Sequence, residues 1–149
     1  MNLRLLLSML LVYRSNFHVI HWKGKGKSFY RVHDKAAEYY EKLLDDADKV
    51  AEMLMRLGQN PVNYPEAYEL ISNYEDTDFV IVESDKSYDV DDLTEYTALM
   101  FGDITSAIEA VLETEEIQDK HNVGIKASLE SMHDEYDLVA RYLNERVRA

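Results

Sequence analysis

SFYRVHDKAAEYYEKLLDDADKVAEMLMRLGQNP, residues 28–61, is the stretch on which the fold turns. Val32, Ala36, Tyr39, Leu43, Ala47, Val50 and Leu54 recur at steps of three and four, the spacing that places apolar side chains on one face of an α-helix. Ser28 offers an N-cap, Gly58 a residue suited to closing the helix, and Pro61 a stop. This is the clearest helix in the chain.

Three other segments carry the same period. One runs from about Asn2 to Trp22, with Leu3, Leu6, Leu10, Tyr13, Phe17 and Ile20 on one face, and ends at Gly24 and Gly26. Another starts at the acidic DVDD cluster, residues 89–92, uses Leu93, Met100, Ile104, Ile108 and Val111, and ends among the carboxylates of ETEEIQD, residues 113–119. Gly102 is an interior cost to it. The last uses Ile125, Leu129, Met132, Tyr136, Val139 and Leu143. Residues 60–87 break the pattern: EAYELISNY after Pro65 suggests a short helix, and the β-branched FVIV, residues 79–82, an extended piece or a lone strand. Two short links and one long crossover predict an all-α fold, a ferritin-like four-helix bundle in one domain spanning 1–149.

Composition restricts the chemistry. With 149 residues, 46% of them apolar, the chain can bury a sizeable core. It has no cysteine, so disulfides and thiolate metal sites are excluded, and any metal must use His, Asp or Glu. The formal charge of −13 repels nucleic acid and anionic membrane and suits cations. MNLRLLLSMLLVY at the start imitates a secretory leader, yet it lacks a small-x-small cleavage site and continues the helical period. We read it as a retained helix of a cytoplasmic protein, with no apolar run of the ~20 residues that a membrane span needs.

HWKGKGKSFYRVH, residues 21–33, holds two histidines around a Gly-Lys loop. A phosphate-binding loop would need glycine five residues before the Gly26-Lys27-Ser28 triplet, where His21 stands, and a strand rather than a helix before it. The loop is therefore a helix-helix turn, and the histidines carry the interest. Asp48 and Glu52 are four apart on the second helix, a spacing equally suited to a metal pair and to a solvated stripe. His33 lies fifteen residues before Asp48, about 22 Å along one helix, so they cannot hold one ion within a chain. Two copies of the helix running antiparallel across a two-fold axis would let His21 and His33 meet the partner's Asp48 and Glu52.

HW at 21–22, SFYRVH at 28–33, D-x-x-x-E at 48–52 and LG at 57–58 resemble, in type and spacing, the Dps family, mini-ferritins named as DNA-binding proteins from starved cells. The likeness is specific over residues 16–58 and architectural beyond. It implies a hollow homo-oligomeric shell of twelve subunits. It also implies a ferroxidase site at each two-fold interface, with His21 and His33 from one subunit and Asp48 and Glu52 from the other. Iron would be oxidised by peroxide or oxygen and stored, protecting the cell. One position departs: the family usually has an aspartate four residues after the second histidine, and here Ala37 stands there, with Asp34 and Glu38 near in sequence but turned by about 100° per residue, so that neither replaces it directly. Two imidazoles and two carboxylates suit Fe(II) and accept zinc as a substitute. The competing class is a non-enzymatic helical cage or structural metal-binding assembly with a degenerate site, and Ala37 is its best argument.

Other residues suggest lesser roles. Glu41, Asp45 and Asp46 are candidates for an acidic cavity lining, or for a solvated face. His18 lies one turn before His21, and His121 falls in a turn. Glu130-x-x-His133 raises a rival di-iron centre inside the bundle, but no second Glu-x-x-His accompanies it. Direct DNA binding is not expected: no lysine-rich tail precedes the first helix, and the basic residues near the other end are Arg141, Arg146 and Arg148.

Overall fold

The computed structural model describes residues 1–75 and 78–148, with side chains as far as Arg146. It contains α1 (Leu3–Trp22), α2 (Phe29–Arg56), α3 (Tyr64–Asn73), α4 (Val90–Leu112), α5 (Glu115–Gln118), a 3-10 turn at Lys120–Asn122, and α6 (Val123–Arg148). α1 and α2 pack as one pair and α4 and α6 as another, with α3 lying on α1. This is the expected all-α four-helix bundle with a long crossover.

Local chemistry explains most of the helix ends. Asn2 caps α1 by accepting from Leu5 N–H. Asn63 with Glu66, and Asp89 with Asp92, form reciprocal capping boxes that start α3 and α4. Gly58, at φ 72°, closes α2: its N–H reaches the Met55 carbonyl and the Gln59 N–H reaches Leu54, satisfying carbonyls that the helix leaves open. Ser28 does not cap as expected, for its side chain makes no capping bond. α4 also stops short of ETEEIQD, at Leu112, and α5 forms separately within that segment.

The apolar periods deliver the core. Every apolar position assigned to α1 and α4 is buried, as are those of α2 except the partly buried Tyr39. On α6, Ile125, Leu129, Met132 and Tyr136 are buried, whereas Val139 and Leu143 are partly exposed. Phe101 of α4 joins three other helices, with ring centroids 5.9 Å from Phe17, 5.2 Å from Tyr39 and 4.8 Å from Tyr136, all steeply inclined. Contrary to expectation, α1 is long and apolar enough to meet a membrane-span criterion of length and composition. Yet 67% of its apolar window is buried within the bundle.

FVIV forms no strand and lies outside the helices. Asn16 takes the place of a neighbouring strand: its Nδ2 donates to the Val80 carbonyl at 2.7 Å and its Oδ1 accepts from Val82 N–H at 3.1 Å. Tyr13 accepts from Val80 N–H at 3.2 Å and donates to Asp103 at 2.6 Å. Burial, then the Asp103 partner, pushes the Tyr13 phenol well up from its ordinary range, so it stays a donor. Farther along, Lys25 N–H donates to the Tyr88 carbonyl and Tyr88 N–H to the Lys23 carbonyl, both at 2.8 Å, tying the α1–α2 loop to the crossover.

Asn16→Ala deprives Val80 and Val82 of their partners at once. It should lower the unfolding free energy by about 2–4 kcal/mol, since each buried polar group left unpaired costs ~1–3 kcal/mol. Urea unfolding would read this as a lower midpoint at unchanged slope. A loss under about 0.5 kcal/mol, within the range of an ordinary surface substitution, would show that Asn16 does not hold the crossover.

Candidate metal centre

α1 ends and α2 begins beside each other, which puts His21 of α1 and His33 of α2 in contact. His21 Nδ1 lies 2.7 Å from the His33 carbonyl oxygen, and His33 Nδ1 lies 3.0 Å from the His21 carbonyl oxygen. A carbonyl only accepts, so each Nδ1 must donate its hydrogen. The neutral ring then keeps its lone pair on Nε2, the nitrogen left for a metal. The rings stack with centroids 3.7 Å apart and planes 22° from parallel.

Two glycines make this turn possible. Gly26 adopts φ 91°, a backbone state that other residues rarely take. A Cβ on Gly24 would stand 3.2 Å from Val32 Cγ1, close enough to press on the start of α2.

Aromatic side chains surround the pair. Tyr40 stands edge-on to His21 at 5.5 Å and against His18 at 4.0 Å. His18 stacks on Trp22 at 4.9 Å with planes 6° apart. Burial, then the Arg14 charge and His21, lowers the His18 pKa and favours a neutral ring. Trp22 itself is 68% exposed, unusual for the chain's sole tryptophan.

Asp48 and Glu52 are elsewhere. Both are exposed on α2, and Asp48 borders a groove of about 300 Å³ lined by Leu7, Leu11, Leu44, Ala51, Val62 and Tyr64. α2 is unbroken from Phe29 to Arg56, so the helix itself keeps Asp48 from His33. Among the described residues no three His, Asp or Glu side chains form a metal-ligating group. One chain thus brings together the two histidines but not the carboxylates.

The structure also places three lesser candidates. Asp46 does not line a cavity: it is buried in the bundle, accepts from the Tyr136 hydroxyl at 2.6 Å, and has Lys42 at 3.3 Å and Lys49 at 3.6 Å. Glu41 and Asp45 are exposed. His133 does not enter a bundle-core site with Glu130. Its Nε2 pairs with Glu109 at 2.9 Å and its Nδ1 with Asp134 at 3.2 Å, linking α4 to α6 on the surface. Arg141 is paired with Asp137 at 2.8 Å and Arg146 lies over the Tyr142 ring, which divides the basic cluster; the Arg148 side chain lies outside the described residues. Sequence reading also missed Tyr40, whose contacts with both His18 and His21 have no motif to announce them.

The ferritin-like domain family matches residues 2–148. A DNA protection during starvation protein of Helicobacter pylori is 39% identical over 61 residues, which cover 40% of this chain and 42% of that protein. Dps from Staphylococcus aureus superposes with a TM-score of 0.79 at 21% identity, covering 97% of this chain and 91% of that one. A Dps protein from Vibrio cholerae, described as a member of a broad superfamily of ferritin-like diiron-carboxylate proteins, gives 0.78 at 22% identity, covering 97% and 86%. The chain belongs to the ferritin-like family; the relatives and solved structures just named, which it resembles, are Dps proteins. Its sequence match spans less than half the length of the curated relatives.

The His133 contact gives a pH test. The Glu109 partner raises the His133 pKa above its ordinary value despite some burial, with Asp134 assisting. A raised folded-state pKa gives stability that is fully present below the unfolded value of about 6.5 and is lost as pH rises through the folded value. His133→Gln should therefore lower the melting temperature more at about pH 5.5 than at about pH 8.5. An equal effect at both would show that the ion pair does not contribute.

Proposed function

We propose that the chain oxidises Fe(II) with peroxide or oxygen and stores the Fe(III) product, and that oxidation takes place at a site shared by two copies across a two-fold axis. The observation that carries this reading is the reciprocal Nδ1–carbonyl lock of His21 and His33. It prepares two Nε2 ligands at one end of a helix whose exposed carboxylates, Asp48 and Glu52, lie too far along it to join them. Antiparallel pairing of two α2 helices supplies the partner's carboxylates to each histidine pair.

In this reading iron is the substrate. Imidazole and carboxylate hold Fe(II), and the anionic oxygens favour the more highly charged Fe(III) product. Each peroxide takes two electrons, one from each of two Fe(II), as its O–O bond breaks; its oxygens leave as water after taking up two protons. The chain's charge of −13 draws cations inward. The exposed Glu41 and Asp45 are candidates for collecting oxidised iron. The names and descriptions of the relatives support protection in starvation and diiron-carboxylate chemistry.

Further parts of the proposal are a closed homo-oligomeric shell of twelve copies, a cytoplasmic location consistent with the absence of cysteine, and protection by consuming peroxide rather than by gripping DNA. Ala37 favours the second reading, a structural cage, because one turn beyond His33 it offers no ligand; zinc would fit its reduced site.

Subunit mixing separates these readings. His33→Ala and Glu52→Ala should each abolish rapid Fe(II) oxidation, because each removes a ligand while leaving the buried core intact. In a mixed dimer one site carries both lesions and the other carries none. Shells reassembled from equal amounts of the two variants should recover about a quarter of the wild-type rate, since half of the dimers are mixed and each has one intact site. Mixed shells verified by mass that remain as inactive as either parent would refute the shared site. A wild-type protein with no oxidation under either oxidant would favour the structural cage.

A further inference from the structure

α1 and α2 present a continuous face beside the groove that Asp48 borders. On α1, Leu7, Leu11, Arg14, His18 and His21 follow at steps of four and three; on α2, Ala37, Glu41, Leu44, Asp48, Ala51 and Met55 do the same. The second row is distinct from the core face of α2, and Glu41, Asp48 and Met55 in it are exposed. Leu7, Leu11, Leu44, Asp48 and Ala51 share the groove, which shows the two rows to be neighbours.

Arg14 interrupts this face with a cation. Its guanidinium carbon lies 5.7 Å from the centroid of the Tyr40 ring, and its Nε is buried with no hydrogen-bond partner among the described residues. A buried guanidinium N–H is costly when left unpaired, and a carboxylate is the acceptor that best completes it.

We propose that Arg14 is a docking residue for a second copy of this chain and that its acceptor is the partner's Glu41. This rests on the two-fold reading above. Antiparallel pairing that sets His33 opposite the partner's Glu52 also sets Ala37 opposite the partner's Asp48 and Glu41 opposite the partner's Leu44. The two copies of Glu41 then fall within one turn of the axis, where their charges repel. His21 lies beside His33, and Leu11 shares the groove with Leu44, so α1 runs antiparallel to α2 and Arg14 stands level with Tyr40. That height is one residue from the same chain's Glu41 and about one helical turn from the partner's Glu41, which stands opposite Leu44. Each copy therefore brings a guanidinium within a turn of the place where the two carboxylates meet. Arg14 is a positioning residue: it fixes the register in which Asp48 and Glu52 reach the histidines and touches no iron.

A charge exchange tests this. Arg14→Glu and Glu41→Arg should each reduce the shell to smaller species in analytical ultracentrifugation, because every two-fold contact then sets like charges together. When the two variants are co-expressed with separable tags, mixed dimers should form at least about ten-fold more tightly than either parent, since one contact holds the original pair and the other its reversal. Arg14→Met, which keeps length without charge, should also weaken association while leaving the circular dichroism spectrum unchanged; it decides the matter if Arg14→Glu does not fold. Wild-type assembly by Arg14→Met or by a folded single variant, or mixed dimers no tighter than the parents, would overturn the pairing. If mixing His33→Ala with Glu52→Ala restores oxidation while the Arg14 variants assemble normally, the shared site stands and this pairing falls. A wild-type monomer would overturn both.

Discussion

Because α2 runs without a break from Phe29 to Arg56, it holds His33 and Asp48 about 22 Å apart, and the arrangement of possible ligands follows from that separation. A kinked or interrupted helix could fold its ends toward one ion; this one cannot. Its core face, from Val32 to Leu54, is fixed against the bundle, so the positions proposed as ligands have fixed directions as well. The reciprocal His21–His33 bonds then secure the start of α2 to the end of α1. A rigid helix with half of the proposed ligand set at each end has unmet coordinating capacity that, in the reading proposed above, an antiparallel second copy would satisfy.

The acidic residues of α2 are divided by the direction in which they project. Asp46 faces the bundle, where the Tyr136 hydroxyl and two lysines meet its charge. Burial works against the charge of Lys42, but Glu135 and Asp46 outweigh it and raise the lysine pKa. Burial, followed by the Asp46 charge, pushes the Tyr136 phenol far above its ordinary range, so it remains a hydrogen donor to the carboxylate. Asp48 and Glu52, two and six residues later, project outward without this buried network. Neighbouring carboxylates on one helix are thus divided between a buried structural role and the exposed positions to which the proposed site assigns its ligands.

Strong periodicity made the four long helices legible, and the short link between α1 and α2 set His21 and His33 at the two ends of one turn. Polar residues that belong to the core were harder to read. Asn16 lies three residues after Tyr13 and four before Ile20, and Asp46 lies three after Leu43 and four before Val50. Both positions fall on apolar faces; only the residue types suggest exposure. Their burial depends on partners 64 to 90 residues away, Val80 and Val82 for Asn16 and Tyr136 for Asp46, which no local pattern contains. Ser28 has the chemistry of a cap without the bond, because its backbone, at φ −102° and ψ 28°, lacks the extended conformation from which Asn2, Asn63 and Asp89 cap their helices. Arg14 reads as an ordinary surface arginine until its neighbours leave its Nε unpaired.

The most direct measurement is anomalous X-ray scattering at the iron edge from crystals of the assembled protein soaked anaerobically in Fe(II). The account predicts an iron peak within coordination distance of His21 and His33 Nε2 from one subunit and of Asp48 and Glu52 from its two-fold partner. Iron bound by one chain alone, or an ordered iron site between the α4 and α6 residues Glu109 and His133 with none at the two-fold axis, would contradict it.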